Sequence, residues 1–159
     1  MKATTNFRQL ALTALLAACT MAAQADSGRA RVPILPQYQQ ECAACHMAYP
    51  PDLLPAVSWQ RLMGSLGQHY GTDASLDEAS AREIGAWLIT HAGTYKRVSE
   101  APPQDRITTS AWFLRKHNER EVPPAAWKRA AVGRAANCAA CHSNAAQGSF
   151  SEREIRIPR

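Results

Sequence analysis

The sequence predicts a mainly α-helical protein in two small halves, with little or no sheet. Three observations carry this. Apolar residues recur at helical spacing through "SWQRLMGSL" and "EIGAWLITH", and no convincing set of strands is encoded. Prolines and glycines cut the chain into short pieces. The pentapeptide CAACH occurs twice, at 42–46 and 138–142, so each half holds one copy.

The chain has 159 residues, and its first 25 read as a secretory signal. Lys2 and Arg8 precede the apolar run "LALTALLAACTMAA", which is too short to span a bilayer, and "AQA" at 23–25 supplies the small-residue cleavage pattern. The mature protein is therefore expected to be exported, to the periplasm of a bacterium. A rival reading takes "LAAC" at 16–19 as a lipoprotein signal with Cys19 as the lipidated terminus; the cleavage pattern after Ala25 argues against it. Without Lys2 and Arg8, 16 basic residues face 13 acidic ones, a net charge of +3. No block of like charges occurs, which argues against a nucleic-acid partner.

From Asp26 to Pro36 the chain reads as an irregular lead-in, followed by a short helix through "YQQECAACH" that the prolines at 50, 51 and 55 break. "AVSWQRLMGSLGQHYG" predicts a helix with Trp59, Leu62, Met63 and Leu66 on one face, His69 on the same stripe and Gly71 as its stop. In "SLDEASAREIGAWLITHAG", Ser75 and Glu78 form a candidate capping box, so a helix is expected from Leu76 to the stop at Gly93. Its apolar face is Leu76, Ile84, Trp87 and Leu88. A proline-bearing loop over 94–107 then separates an N-terminal half, 26–100, from a C-terminal half, 101–159. "TTSAWFLRKHNER" predicts a helix carrying Trp112, Phe113 and His117, "AAWKRAAVGRAAN" an Ala-rich helix leading into the second pentapeptide, and "FSEREIRIP" an extended tail.

All four cysteines after Cys19 lie in the pentapeptides: Cys42, Cys45, Cys138 and Cys141. In an oxidising compartment something must consume them. A thioredoxin-like pair belongs at a strand-to-helix junction of a βαβ unit, and no parallel sheet is visible. A zinc site would leave the histidine beside each pair unexplained. In CxxCH, two thiols add to the two vinyl groups of one porphyrin while the adjacent imidazole lies under the iron. Two covalent haems c also suit a chain with only 3 Phe, 4 Tyr and 4 Trp, whose helical faces need something to pack against. The polypeptide without haem is then expected to be largely unfolded.

His46 and His142 are the proximal candidates. His69, His91 and His117 remain for two distal positions, with methionine as the competing ligand type. Met47 adjoins its own proximal histidine, and Met63 reads as core. His69 has Leu62, Ser65 and Leu66 on its side of the helix and His117 has Phe113 and Leu114 one turn back, whereas His91, though beside Trp87 and Leu88, ends its helix and suits a capping role, which makes it second choice. The distal histidine follows the pentapeptide histidine in the first half and precedes it in the second, so the repeat is one of chemistry in reversed order.

The stretches "CAACHMAYPPDLLPAVSWQRLMGSLGQHYGTDASL", "RITTSAWFLRKHNE" and "NCAACHSNAAQGSFSEREIRIP" resemble the bacterial di-haem cytochrome c family, which includes the electron-transfer partner of the sphaeroides haem protein. That resemblance implies bis-histidine haems with His69 and His117 distal, and an N-terminal half related to class I cytochromes c. It also implies a membrane cytochrome b as donor and an oxygen-binding c-type cytochrome as acceptor. Six-coordinate iron leaves no site for substrate, so the expected function is single-electron transfer and not enzymatic catalysis. The rival function is a di-haem enzyme or gas sensor, peroxidase-like, with one labile distal ligand.

Overall fold

The computed structural model describes residues 32–159, which form one compact unit; the signal-sequence readings, Cys19 among them, lie outside the described residues. Among the described residues, five short α-helices and a series of single 3-10 turns make up the fold, and no strand forms beyond two isolated bridges. The expected fold class holds.

Helix α1, Pro36–Cys42, starts on a proline whose missing N–H the first turn does not need. It delivers Cys42 into the turn that holds the first pentapeptide. A 3-10 turn at Pro51–Leu53 leads to α2, Ala56–Met63. Here the structure shortens the expected helix. At Gly64 the backbone N–H closes onto Gln60 and Leu62, a 3-10 turn follows at Leu66–Gln68, and His69 takes φ −64°, ψ 87° outside any helix. Two glycines within four residues lower helix propensity enough for the tighter turn to win.

Helix α3, Glu78–Thr90, begins two residues later than expected. Its cap is Asp77, whose Oδ1 accepts the N–H groups of Ala79 and Ser80 at 3.0 Å each. Ser75 is instead tied by its own N–H to Asp73 at 2.9 Å, so the Ser75 capping box does not form. Aspartate directly before the helix is as good a cap as serine and adds charge at the positive end of the dipole.

The three helices enclose a core of Tyr38, Ala48, Leu54, Trp59, Ile84, Leu88 and Ala92. Its buried polar atoms are satisfied: Trp59 Nε1–H donates to the Pro51 carbonyl at 2.7 Å and the Tyr38 hydroxyl to that of Tyr49 at 2.9 Å. Close approach matters at Gly93, whose N–H donates to the Leu54 carbonyl at 2.8 Å. A Cβ there would meet the Asp52 carbonyl oxygen at 2.6 Å and Val98 Cγ1 at 2.7 Å.

The chain beyond is built from smaller pieces. Helix α4, Ala111–Lys116, is capped by Ser110, whose Oγ accepts the Phe113 N–H at 3.2 Å. The Ala-rich segment yields only α5, Pro124–Trp127, then i→i+3 bonds at Lys128, Arg129 and Val132 and a single i→i+4 bond at Gly133, where φ is +69°. Alanine propensity loses because a left-handed glycine and an uncapped end leave too few consecutive i→i+4 bonds to offset nucleation. The expected extended tail instead makes a 3-10 turn at Glu152–Glu154 and bridges back, Ile155 pairing with His142.

Candidate functional site

The first pentapeptide leaves α1 so that His46 sits in the following bend. Its Nδ1 lies 2.7 Å from the Met47 carbonyl oxygen. A carbonyl only accepts, so Nδ1 carries the proton and Nε2 presents a lone pair. The ring of His69 faces it, centroids 6.1 Å apart and planes 27° from parallel. Burial depresses the His69 pKa, and His46 and Arg106 push it the same way, so the imidazole is held neutral as a metal ligand must be.

His69 is fixed from outside. It bridges to Thr72 across Tyr70 and Gly71, both at positive φ. The Tyr70 hydroxyl reaches the carbonyls of Gln104 and Asp105 at 3.1 and 3.2 Å, and the Arg106 guanidinium lies 3.9 Å over its ring. Arg61 holds the Asp105 carboxylate with two bonds, at 2.8 and 2.5 Å. Tyr70, Gln104 and Asp105 all adopt φ between 53° and 57°, so three left-handed side-chain-bearing residues meet beside one candidate ligand. Strain of this kind persists where surrounding bonds over-determine it.

The second site has the same inventory on different elements. His117 is the C-cap of α4, and its Nδ1 donates to the Phe113 carbonyl at 3.0 Å, again freeing Nε2. His142 follows the second pentapeptide, its ring 6.1 Å from that of His117 and 67° from parallel. Burial lowers the His142 pKa, and His117 adds to the effect. Phe150 packs on His142 at 5.2 Å, and the Arg156 N–H donates to the Cys141 carbonyl at 2.8 Å, which holds the tail against the site.

The structure thus brings His46 to His69 and His117 to His142. His91, the C-cap of α3, has its Nδ1 2.8 Å from the Trp87 carbonyl and its ring on Trp87. Met63 packs against the core. No disulfide joins Cys42, Cys45, Cys138 and Cys141, and burial pushes the Cys42 and Cys138 thiols of the bare polypeptide up to about 11. Thiol-exchange catalysis needs the opposite shift. Among the described residues no three His, Cys, Asp or Glu side chains converge on a point, so a closed zinc site is not assembled.

Residues 38–150 match the family model described as dihaem cytochrome c. The chain belongs to that family. Among solved structures, DHC purified from Rhodobacter sphaeroides is 44% identical, covers 75% of this chain and 99% of its own, and superposes with a TM-score of 0.64. A second structure of the diheme cytochrome c from Rhodobacter sphaeroides is 43% identical over 76% of this chain and all of its own, TM-score 0.67. The diheme cytochrome from Shewanella baltica OS155 is 36% identical over 80% and 95%, TM-score 0.68. No curated protein sequence matched.

A dihaem cytochrome c carries two covalently bound haem c groups, and the residues here fit them. Two metal–imidazole bonds of about 2 Å, extended by a ring radius of ~1 Å at each end, span roughly 6 Å, the separation found in both histidine pairs. Each pair has one imidazole whose Nδ1 is anchored to a carbonyl. The other Nδ1 atoms, of His69 and His142, are buried without a protein partner. Sequence reasoning missed Tyr49, stacked on His46 at 4.9 Å, and the Tyr70 clamp on His69. Both tyrosines adjoin the motifs, but the carbonyls their hydroxyls reach lie 34 to 87 residues away in sequence.

Proposed function

We propose that this dihaem cytochrome carries single electrons between redox proteins of the bacterial periplasm, with both haems six-coordinate and bis-histidine ligated. Cys42 and Cys45 attach the first haem and Cys138 and Cys141 the second. His46 and His142 are the proximal ligands, and His69 and His117 the distal ones. The observation that carries this reading is the matched separation of the two histidine pairs, 6.1 Å in each. Bound haem supplies a one-electron couple, and two imidazoles without methionine favour a low potential. His46 and His117 are oriented for ligation by their Nδ1–H bonds to carbonyls, which also raise the basicity of Nε2. Burial keeps His69 and His142 unprotonated.

With both axial positions filled by protein, small molecules find no open site, so the protein acts as a carrier and not as an enzyme. A membrane cytochrome b is the proposed donor and an oxygen-binding c-type cytochrome the proposed acceptor. No described helix is long and apolar enough to cross a membrane.

Low-temperature electron paramagnetic resonance of the oxidised protein, with carbon monoxide added to the reduced form, tests this. Two distinct low-spin bis-imidazole signals are expected, because the imidazole planes cross at 27° in one pair and 67° in the other. Rapid carbon monoxide binding by the native ferrous protein would overturn six-coordination and favour the enzyme or sensor alternative.

A further inference from the structure

Tyr49 stands between the two sites. Its ring is stacked on His46, centroids 4.9 Å apart and 23° from parallel. Its hydroxyl donates to the Ala136 carbonyl at 2.8 Å, across 87 positions of sequence. The same carbonyl oxygen lies 3.7 Å from Cys138 Sγ, the sulfur proposed to bear the second porphyrin. An axial imidazole of one site is therefore joined to the thioether sulfur of the other by one ring stack, one hydrogen bond and one sulfur–oxygen contact.

We propose that Tyr49 is the coupling residue of the dihaem cytochrome, the group through which electrons pass between its two haems. The inference rests on the ligand assignment above and adds the route. One electron leaves one iron, which is oxidised, and reduces the other. Tyr49 stays a neutral phenol throughout, with no proton released. The Tyr38 hydroxyl donates to the Tyr49 carbonyl at 2.9 Å, so the coupling residue is anchored on the buried core and does not swing with the surface. A hydrogen bond is a tighter electronic junction than the van der Waals gap that would replace it, because its heavy atoms approach within 2.8 Å.

The test uses the holoprotein and two variants. Tyr49→Phe keeps the stack and removes the hydrogen bond; Tyr49→Leu removes both. In half-reduced samples, exchange spectroscopy of the haem methyl resonances reads the internal electron exchange rate. Paramagnetic resonance of the oxidised form reads the ligand set and the dipolar coupling between the irons. The expected result is a several-fold slower exchange in Tyr49→Phe and a larger fall in Tyr49→Leu, with ligand signals and dipolar coupling as in the native protein. Exchange at the native rate in both variants overturns the route while leaving the bis-histidine reading intact. Slowing accompanied by altered dipolar coupling also overturns it, since Tyr49 would then act only by spacing the haems. A native protein without bis-imidazole signals overturns both readings.

Discussion

The ring of Phe113 lies flat on the imidazole of His117, centroids 3.9 Å apart and 13° from parallel, while the Phe113 carbonyl accepts the Nδ1–H of that imidazole at 3.0 Å. One residue thus sets both the plane and the tautomer of a candidate ligand. It is 6% exposed in a part of the chain whose other fully buried apolar side chains are small. Phe113→Ala is expected to destabilise the protein by about 3–5 kcal/mol and to alter the resonance signal of one haem only. Thermal melting and paramagnetic resonance of the same sample check this.

Replacing either proposed distal histidine by methionine should raise the potential of one haem and spare the other, since Met/His ligation raises haem potentials. Potentiometric titration of His69→Met and His117→Met should show one shifted wave each. His91→Ala should show none, because the His91 ring is engaged with the Trp87 carbonyl at its own helix end.

Asp105 anchors the clamp on His69, and its bonds to Arg61 hold its carboxyl below the usual carboxylate range. A depressed folded pKa means the stabilisation is present in full above the unfolded aspartate value of about 3.9 and is lost as pH falls through the lower folded value. Stability of the native protein should therefore fall more steeply below about pH 4 than that of Asp105→Asn. At neutral pH the variant should lose about 0.5–1 kcal/mol, discounted for the half-exposed guanidinium. Urea melts at several pH values measure both.

Gly93→Ala places a methyl group 2.6 Å from the Asp52 carbonyl oxygen and 2.7 Å from Val98. Val98 is 2% exposed and has no room to retreat. A loss of about 1–3 kcal/mol is expected, read as a lower melting temperature with unchanged haem spectra.

The apolar core Tyr38 to Ala92 lies wholly in the first half of the described chain. The later segments hold short helices and single turns around His117 and His142. Cys138→Ser with Cys141→Ser should therefore expose amides of 111–158 to hydrogen exchange while those of α3 stay protected. Equal loss of protection in both regions would show that the first core depends on the second haem.

The chemistry was legible in the sequence because it is local. Two thiols and an imidazole must be adjacent to hold one haem, so CAACH declares itself at 42–46 and 138–142 wherever the chain goes. The helical class was equally legible, from apolar spacing and the absence of paired alternating strands. Tertiary structure decided where helices stop and what surrounds the ligands. His69 left its expected helix because Gly64 ended it and because Tyr70, Gln104 and Asp105 lock the turn from a distant segment. The Ala-rich run stopped after Trp127, where a left-handed Gly133 and side-chain bonds such as Asn137 to the Val132 carbonyl outweighed alanine's small per-residue preference. Tyr49 gained its meaning only when the fold set Ala136 against its hydroxyl. Covalent attachment is written in neighbouring residues; the pairing, neutrality and coupling of the ligands come from contacts that the linear order does not contain.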